Sequence, residues 1–171
     1  RLRQFHGFLA GRLGSSTTRR HRDHLITTWD YFYNSGGWDD YPPQRFVHEH
    51  KLEPSTSPVV NSAHAIRCAR LLRQMAEALG QTEDFDEYDR DVETLSTSLQ
   101  KFSWDKESGY FGYVMHDESG EPTGILRTSQ GVNYNMGLDG VYPLVAGICS
   151  VGQEDGILAH LFSPDHLWTD I

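Results

Sequence analysis

Residues 57–79 have the sequence SPVVNSAHAIRCARLLRQMAEAL, in which apolar residues recur every three or four positions. This spacing places the apolar side chains on one face of an α-helix, where they can pack against a core. Pro58 suits the first helical turn, because the amide hydrogen that proline lacks would have no partner there. Gly80 suits the position after the last turn, since glycine readily adopts a left-handed backbone. We therefore predict a long helix over about residues 57–79.

The stretch that follows, residues 82–102, predicts a second helix with a strongly acidic first part, which the helix dipole favours. Together the two helices predict an antiparallel αα-hairpin. Shorter helices are predicted at four further places, about residues 1–13, 23–33, 138–147 and 153–161. Asp23 is the predicted N-cap of the second of these. The predicted fold class is all-α.

Two regions interrupt the helical pattern. Residues 104–113 predict a turn into a small β-hairpin, whose strands are residues 113–116 and 124–126 around the polar turn 117–120. Residues 42–58 contain four prolines and predict a long irregular connection. Because long loops inside compact domains are usually functional or disordered, we expect this connection to take part in the function.

Before that connection, residues 29–44 have the sequence WDYFYNSGGWDDYPPQ. The Gly36-Gly37 pair permits a sharp turn, which would gather the aromatic and acidic side chains of residues 38–41. Aromatic faces beside carboxylates suit a carbohydrate site, because the rings stack on sugars and the oxygens bind hydroxyls or deliver a proton. The alternative is an ordinary loop, in which Trp38 anchors the core and the two aspartates are solvated or cap a helix.

Composition excludes several other classes of function. The 171 residues can form one domain with a sizeable core, and 37% hydrophobic with 12% aromatic residues indicate a globular protein. A formal net charge of −9 disfavours nucleic acid as a partner, since phosphate binding needs a basic face. The short basic cluster 19–22 is expected to be a solvated loop or the start of a helix. No apolar run approaches 18 residues, so we predict no membrane-spanning segment.

No metal or cofactor is predicted from the Cys and His residues. Cys68 and Cys149 lie far apart, without a nearby Cys or His at zinc spacing, and are expected to be buried free thiols. Residues 48–50 have the sequence His-Glu-His, but adjacent residues on an extended chain point to opposite sides. The alternative role for His48 or Glu49 is contact with a substrate.

Residues 35–42, SGGWDDYP, resemble the Ser-Gly-(aromatic or Leu)-Asp-Asp-Tyr-Pro loop of glycoside hydrolase family 63, the processing α-glucosidases and their microbial relatives. They also resemble the Ser-Gly-Trp-Asp loop of the related trehalases, with one extra glycine here. Four further segments are similar to that family, namely VNSAH at 60–64, the Trp-Asp…Gly-Tyr-Phe turn at 104–111, DGVYPL at 139–144 and HLWT at 166–169. The order and spacing hold over about residues 25–171.

The resemblance implies an (α/α)6 toroid of the six-hairpin glycosidase type, with the small β-hairpin as an insertion. Twelve helices need far more than 171 residues at ordinary helix and loop lengths. We therefore interpret residues 1–171 as a segment of a single catalytic domain that is incomplete at its C-terminal end.

The resemblance also implies hydrolysis of α-linked sugars with inversion, by one carboxylic acid and one carboxylate that activates water. By motif position Asp39 is the general acid, and Asp40 binds a hydroxyl and helps to keep Asp39 protonated. In the family the general base is a glutamate beyond the segment that matches Trp168. The other carboxylates considered for this role are Glu49, Glu53 and Asp139.

The predicted ligand is an oligosaccharide or disaccharide. The predicted substrate-binding residues are Trp38, Asp40, Tyr41, Asn61, His64, Trp104, Tyr110 and Trp168. For Trp104 and Tyr110 the alternative is plain packing in the core. Two other functions stay open: a non-catalytic carbohydrate-binding module, which needs neither a protonated Asp39 nor a base, and a purely structural helical protein.

Overall fold

The computed structural model describes residues 1–14, 18, 21–27, 41–135 and 137–167, and this part of the chain is mostly helical. Its α-helices are α1 (Leu2–Leu9), α2 (Pro42–Glu49), α3 (Val59–Ala78), α4 (Phe85–Ser98), α5 (Tyr142–Val145) and α6 (Val151–Leu161). Its strands are short: β1 (Thr56–Ser57), β2 (Trp104–Asp105), β3 (Tyr110–Phe111), β4 (Val114–His116) and β5 (Pro122–Ile125). The predicted helical class with a small β-hairpin is confirmed.

The long helix α3 follows Pro58 and ends at Ala78, with Leu79 as its C-cap, and the next residue, Gly80, takes a left-handed φ of +69°. Helix α4 is preceded by a 3-10 turn and continues into a π-helical turn, Leu99–Ser103. The two helices pack along each other, as the αα-hairpin prediction requires. Helix α6 begins two residues earlier than predicted, because Ser150 and Gln153 form a reciprocal capping box at its start.

The core lies along the buried face of α3. Its alanines Ala63, Ala65 and Ala69 have almost no exposed surface, and these small side chains let neighbouring elements approach closely. The main cluster consists of Leu25, Ile26, Ala63, Ala65, Ile66, Leu95, Leu99, Val114 and Ala146. A second cluster, built largely from aromatic residues, consists of Val47, Val59, Tyr110, Phe111, Tyr113, Leu126 and Ile157. The candidate site lies beside this second cluster.

Two small antiparallel sheets connect the helical parts. Strands β4 and β5 form the predicted hairpin, and the Asp117 carboxylate accepts hydrogen bonds from backbone amides within its turn. Strand β1 pairs with β4, with Thr56 opposite Met115, which was not predicted. Strands β2 and β3 pair with each other.

The predicted irregular connection over residues 42–58 is wrong. Pro42 and Pro43 begin helix α2, where their fixed φ and missing amide hydrogens are favourable in the first turn. The chain then forms a 3-10 turn, Glu53–Ser55, and strand β1. Prolines predicted an irregular connection here, whereas Pro42 and Pro43 mark the start of a helix.

The predicted helix over residues 23–33 is also wrong where it can be checked. Residues 24–27 are not helical, and His24 has a left-handed φ of 66°. The Asp23 carboxylate does accept a hydrogen bond from the Leu25 amide at 3.0 Å, but within a turn. The Ile26 amide donates to Ser62 Oγ of α3 at 3.0 Å, which holds this segment extended along the helix. Residues 28–33 lie outside the described part of the chain.

Cys68 and Cys149 are free thiols, as predicted, but both are only half-buried. Burial, together with the charge of Glu154, raises the pKa of Cys149 to about 12, so this thiol is protonated at neutral pH. None of the described helices combines the length and the hydropathy needed to cross a bilayer.

Candidate active site

The structure describes the residues on both sides of the predicted acid loop, the stretch that carries the motif of residues 35–42. Trp38, Asp39 and Asp40, and likewise Trp168, lie outside the described residues. Thr27 is the last described residue before the loop, and Tyr41 is the first after it. The structure therefore describes the contacts of these two flanking residues.

Tyr41 is anchored at its hydroxyl. The hydroxyl donates a hydrogen bond to Asn135 Oδ1 at 2.9 Å, although the two residues lie 94 positions apart in sequence. It also lies against Gly137, where any side chain would overlap the Tyr41 ring. Burial and the negative charge of Asp139 raise the pKa of Tyr41, so its hydroxyl remains protonated and can donate.

Asp139 forms the centre of this region and is fully buried, in the 3-10 turn Leu138–Val141. The Tyr113 hydroxyl donates to Asp139 Oδ2, and the Gln44 amide donates to the Tyr113 hydroxyl at 3.3 Å. Burial, followed by the charge of Asp139, raises the pKa of Tyr113. A buried carboxylate surrounded by neutral phenols is a hydrogen-bonded structural group. With 0% exposure it offers no surface to a substrate or to water, which argues against Asp139 as the general base.

Tyr110 belongs to the same region and not to an exposed aromatic wall. Its ring has no exposed surface, and its hydroxyl donates to the Gly137 carbonyl at 2.8 Å. The core-packing alternative therefore describes Tyr110, and its predicted stacking on a sugar is not available in this structure. Trp104 is partly exposed and packs edge-on against Phe111, with 4.9 Å between the ring centroids.

Asn61 and His64 lie together beside Thr27. Asn61 Nδ2 donates to the Thr27 carbonyl at 3.3 Å, and both side chains line an open cavity of about 420 Å³ between α1 and α3. The His64 ring packs edge-on against Tyr142 at 4.6 Å. Desolvation of the ring, followed by the charge of Arg67, lowers the pKa of His64, so the imidazole is neutral at pH 7.

His48 and Glu49 form the end of α2 and His50 is its C-cap, so the extended-chain argument does not apply to this segment. Its side chains make local contacts: His48 Nδ1 is 2.8 Å from Glu53 Oε1, and His50 Nδ1 is 2.8 Å from the Phe46 carbonyl. Glu53 itself is buried beside His48. Within the described ranges no group of three or more His, Cys, Asp or Glu side chains could hold a metal ion.

Sequence reasoning missed Asn135, Tyr113 and Gly137 as parts of this region. Asn135 and Gly137 share a signal, the segment NYNMGLDG over residues 133–140, in which two asparagines and two glycines precede an apolar helix start. Polar side chains and glycines of this kind often mark places where a backbone is approached closely. Nothing in the sequence pairs this segment with Tyr41.

One comparison with known proteins identifies the family. Residues 11–171 match the family model described as the mannosylglycerate hydrolase MGH1-like glycoside hydrolase domain. Because the match spans most of the chain, the protein is of the glycoside hydrolase class, and carbohydrate is its class of substrate. In particular, the chain belongs to the MGH1-like glycoside hydrolase family. No curated protein matches the chain.

Proposed function

We propose that this chain contributes to a glycosidase that hydrolyses α-linked glycosides with inversion, with Asp39 as its general acid. The observation that carries the proposal is that the family match over residues 11–171 includes the whole Ser35–Pro42 acid motif. A Trp-Asp-Asp-Tyr sequence within a glycoside hydrolase family supplies the aromatic platform and the carboxyl groups that such a reaction needs.

In the proposed reaction the Asp39 carboxylic acid protonates the glycosidic oxygen as the bond to the anomeric carbon breaks. A second carboxylate removes a proton from water, which attacks from the opposite face and inverts the configuration. The two carboxyl groups of inverting glycosidases lie about 6.5–9.5 Å apart, which leaves room for that water. Asp40 binds a sugar hydroxyl beside the acid, and Trp38 stacks on a sugar ring.

We place the general base in a segment outside residues 1–171. Two of the three candidate carboxylates within the chain, Asp139 and Glu53, are buried, and the third, Glu49, is exposed and pairs with Arg45 at 3.4 Å. The proposal accordingly treats the chain as a segment of an (α/α)6 catalytic domain, in which α3 and α4 form one of six helical hairpins. Asn61 and His64 are proposed substrate contacts, since they line a cavity together with Thr27, which precedes the acid motif in the sequence.

The proposed substrate is a small α-glycoside. The motif resemblance to glycoside hydrolase family 63 favours α-glucosides, and the name of the matched family adds mannosylglycerate as a further candidate. In both substrates a hexosyl group is linked through an oxygen that an acid can protonate. Hydrolysis of either substrate would therefore require the Asp39 carboxylic acid.

The proposal is tested by incubating the full-length protein with α-linked disaccharides, aryl α-glycosides and mannosylglycerate. Proton NMR during the first minutes identifies the anomer that is released, and inversion predicts the β-anomer from an α-glycoside. Release of the α-anomer would contradict inversion. Sugar binding without any turnover would instead indicate the non-catalytic carbohydrate-binding module.

A further inference from the structure

We infer that an open cleft beside helix α2 binds one neutral sugar ring. The cleft has a volume of about 210 Å³, and all of its lining residues lie in the described part of the chain, namely Pro42, Arg45, Phe46, Glu49 and Tyr134. The inference goes beyond the proposed function, because it concerns binding and needs neither Asp39 nor turnover. It rests only on carbohydrate as the class of substrate that the family defines.

One side of α2 forms most of the cleft. The four lining residues that this helix supplies follow the spacing i, i+3, i+4 and i+7, which places their side chains along one side of the helix. Pro43, Gln44 and Val47 on the same helix are buried. Because these buried residues anchor the helix, the side chains that line the cleft start from a fixed backbone.

Two aromatic rings line the cleft. The Phe46 ring stacks on His50 with 4.0 Å between the centroids, and the Tyr134 ring lies 5.1 Å from Phe46 at an angle of 38°. Both rings also pack against the second core cluster, and the Tyr134 amide donates to the Leu126 carbonyl at 3.0 Å. Since the rings are held in place before a ligand binds, a sugar can pack its C–H face on them at little cost in side-chain entropy.

The polar groups of the cleft are a weakly paired cation and anion. Arg45 Nη2 lies 3.4 Å from Glu49 Oε1, and the two side chains are 55% and 58% exposed. An exposed pair of this kind contributes little to stability, so both groups are available to a ligand. The guanidinium donates hydrogen bonds and the carboxylate accepts them, whereas a sugar hydroxyl does both. Glu49 thereby becomes a substrate contact, one of the alternatives given for the His-Glu-His segment.

Charge and size indicate the class of ligand. One positive and one negative lining side chain sum to zero, so the cleft favours a neutral ligand over a phosphate or an ammonium group. Its volume lies below the roughly 300–1,000 Å³ of pockets that enclose drug-sized ligands, which leaves room for one ring. Aromatic faces beside a donor and an acceptor match a pyranose, because this ring has apolar C–H faces and a rim of hydroxyl groups.

The test observes Tyr134 directly, by fluorine NMR of the full-length protein labelled with meta-fluorotyrosine. The Tyr134 resonance is identified by its absence from Tyr134→Phe. The titrants are methyl α-glucoside and methyl α-mannoside, each with a single sugar ring, and glycerol and inorganic phosphate serve as comparison ligands. We expect a saturable shift of the Tyr134 resonance with at least one of the two glycosides, and none with glycerol or phosphate.

Variants of the exposed ion pair make the test specific. Arg45→Met removes the donors and Glu49→Ala removes the acceptors, and we expect each to raise the Kd of the glycoside about 3- to 15-fold, as the loss of one hydrogen bond would. Glu77→Ala is the matched control, because Glu77 pairs with Arg73 at the same i,i+4 spacing on α3, at 3.2 Å, and its Kd is expected to equal that of the wild type. Circular dichroism melts of each variant establish that it is folded.

The outcomes separate the inference from the proposed function. A Tyr134 resonance that shifts with neither glycoside, or that responds equally to glycerol, would overturn the inference, and so would unchanged Kd values for both Arg45→Met and Glu49→Ala. A saturable response to phosphate would contradict a neutral ligand. Turnover at the wild-type rate by Asp39→Asn would overturn the proposed function and leave the Tyr134 response intact. Turnover that is lost in Asp39→Asn, without any Tyr134 response in the wild type, would overturn the inference alone.

Discussion

The carboxylate of Asp139 has no exposed surface, and the hydroxyl groups of three tyrosines lie around it or around the turn that carries it. Burying a charged carboxylate is costly unless donors surround it, and here a phenol donates directly to Oδ2. The charge in turn raises the pKa of Tyr110 after the effect of burial, so this phenol also remains a donor. One buried acid therefore lies at the centre of the residues that contact Tyr41, the first described residue after the proposed catalytic motif.

Gly137→Ala tests the packing of the Tyr41 side chain against Gly137 with a single added methyl group. The φ of Gly137 is −115°, which alanine can adopt, so the effect of the substitution is steric. The added methyl group would overlap the Tyr41 hydroxyl and ring. We expect a loss of about 1–3 kcal/mol in the free energy of unfolding, measured by urea denaturation, together with reduced glycosidase activity.

Gly152→Ala is the matched control for that substitution. Gly152 lies in α6 and has open space around its Cα, so alanine is expected to raise stability by up to about 1 kcal/mol. A Gly137→Ala protein as stable as the wild type would show that the Tyr41 hydroxyl does not occupy the space above Gly137.

Among the helices, α1 contacts α4 through one buried carboxylate, that of Asp91. His6 Nε2 lies 2.8 Å from Asp91 Oδ2, and Arg12 Nη1 donates to both oxygens of the same carboxylate at 2.8 and 2.9 Å. Burial alone would raise the pKa of Asp91, but the hydrogen bonds from His6 and Arg12 outweigh it and lower the pKa below 3.8. The ionised carboxylate is therefore the form that stabilises the contact between the helices.

Asp91→Asn is expected to lower the free energy of unfolding by about 2 kcal/mol at pH 7, because it weakens hydrogen bonds to a charged group. A folded-state pKa below the unfolded value means that this stabilisation is fully present above pH 3.8 and is lost as the pH falls through the folded-state pKa. The difference between the two proteins should therefore shrink at acidic pH. Urea denaturation at pH 7 and at pH values down to about 3 measures it.

The control is Asp89→Asn on the same helix. Asp89 pairs with Arg73 at 3.1 Å, but both side chains are exposed or nearly so, and the expected change is below about 1 kcal/mol. An Asp91→Asn effect no larger than this, or one that does not depend on pH, would contradict the assigned role of the Asp91 carboxylate.

The elements differ in how far their sequences determine them. The apolar spacing of α3 and α4 and the polar turn of the β4–β5 hairpin are local signals, and all three elements were predictable. Pro42 and Pro43 are compatible with both the end of one helix and the start of the next, and residue types alone do not distinguish these uses. The segment 24–27 is held extended by Ser62 of α3, which is a tertiary contact that no local pattern contains.

For the whole molecule, α3 is the helix on which the other elements assemble. It contacts α1, α4 and α5, and Ile66 at its centre has no exposed surface. The helical class followed from periodicity alone. The convergence of Tyr41, Asn135, Gly137 and Asp139 did not, because it joins residues 94 positions apart through hydrogen bonds between side chains. Residue types beside Asp39 indicated a carbohydrate site, and those substrate contacts stay predictions. Within the described residues Tyr110 and Asp139 have no exposed surface, which no local pattern in the sequence indicates.

Ile66→Ala measures how much the molecule depends on that central helix. The substitution removes buried methyl and methylene groups in the main core cluster, and we expect a loss of about 2–5 kcal/mol in the free energy of unfolding. Val151→Ala removes apolar groups from a side chain that is 74% exposed and should change stability by less than about 0.5 kcal/mol. Equal effects of the two substitutions in urea denaturation would contradict the central position of α3.

The central proposal is that Asp39 is the general acid of this glycoside hydrolase. The most direct measurement is kcat on an unactivated α-glycoside for the wild type, for Asp39→Asn and for Asp86→Asn, an exposed carboxylate of α4. We predict a loss of about 10²–10⁴-fold for Asp39→Asn with unchanged folding, and no loss for Asp86→Asn. An Asp39→Asn protein that turns over the same glycoside at the wild-type rate would contradict the account.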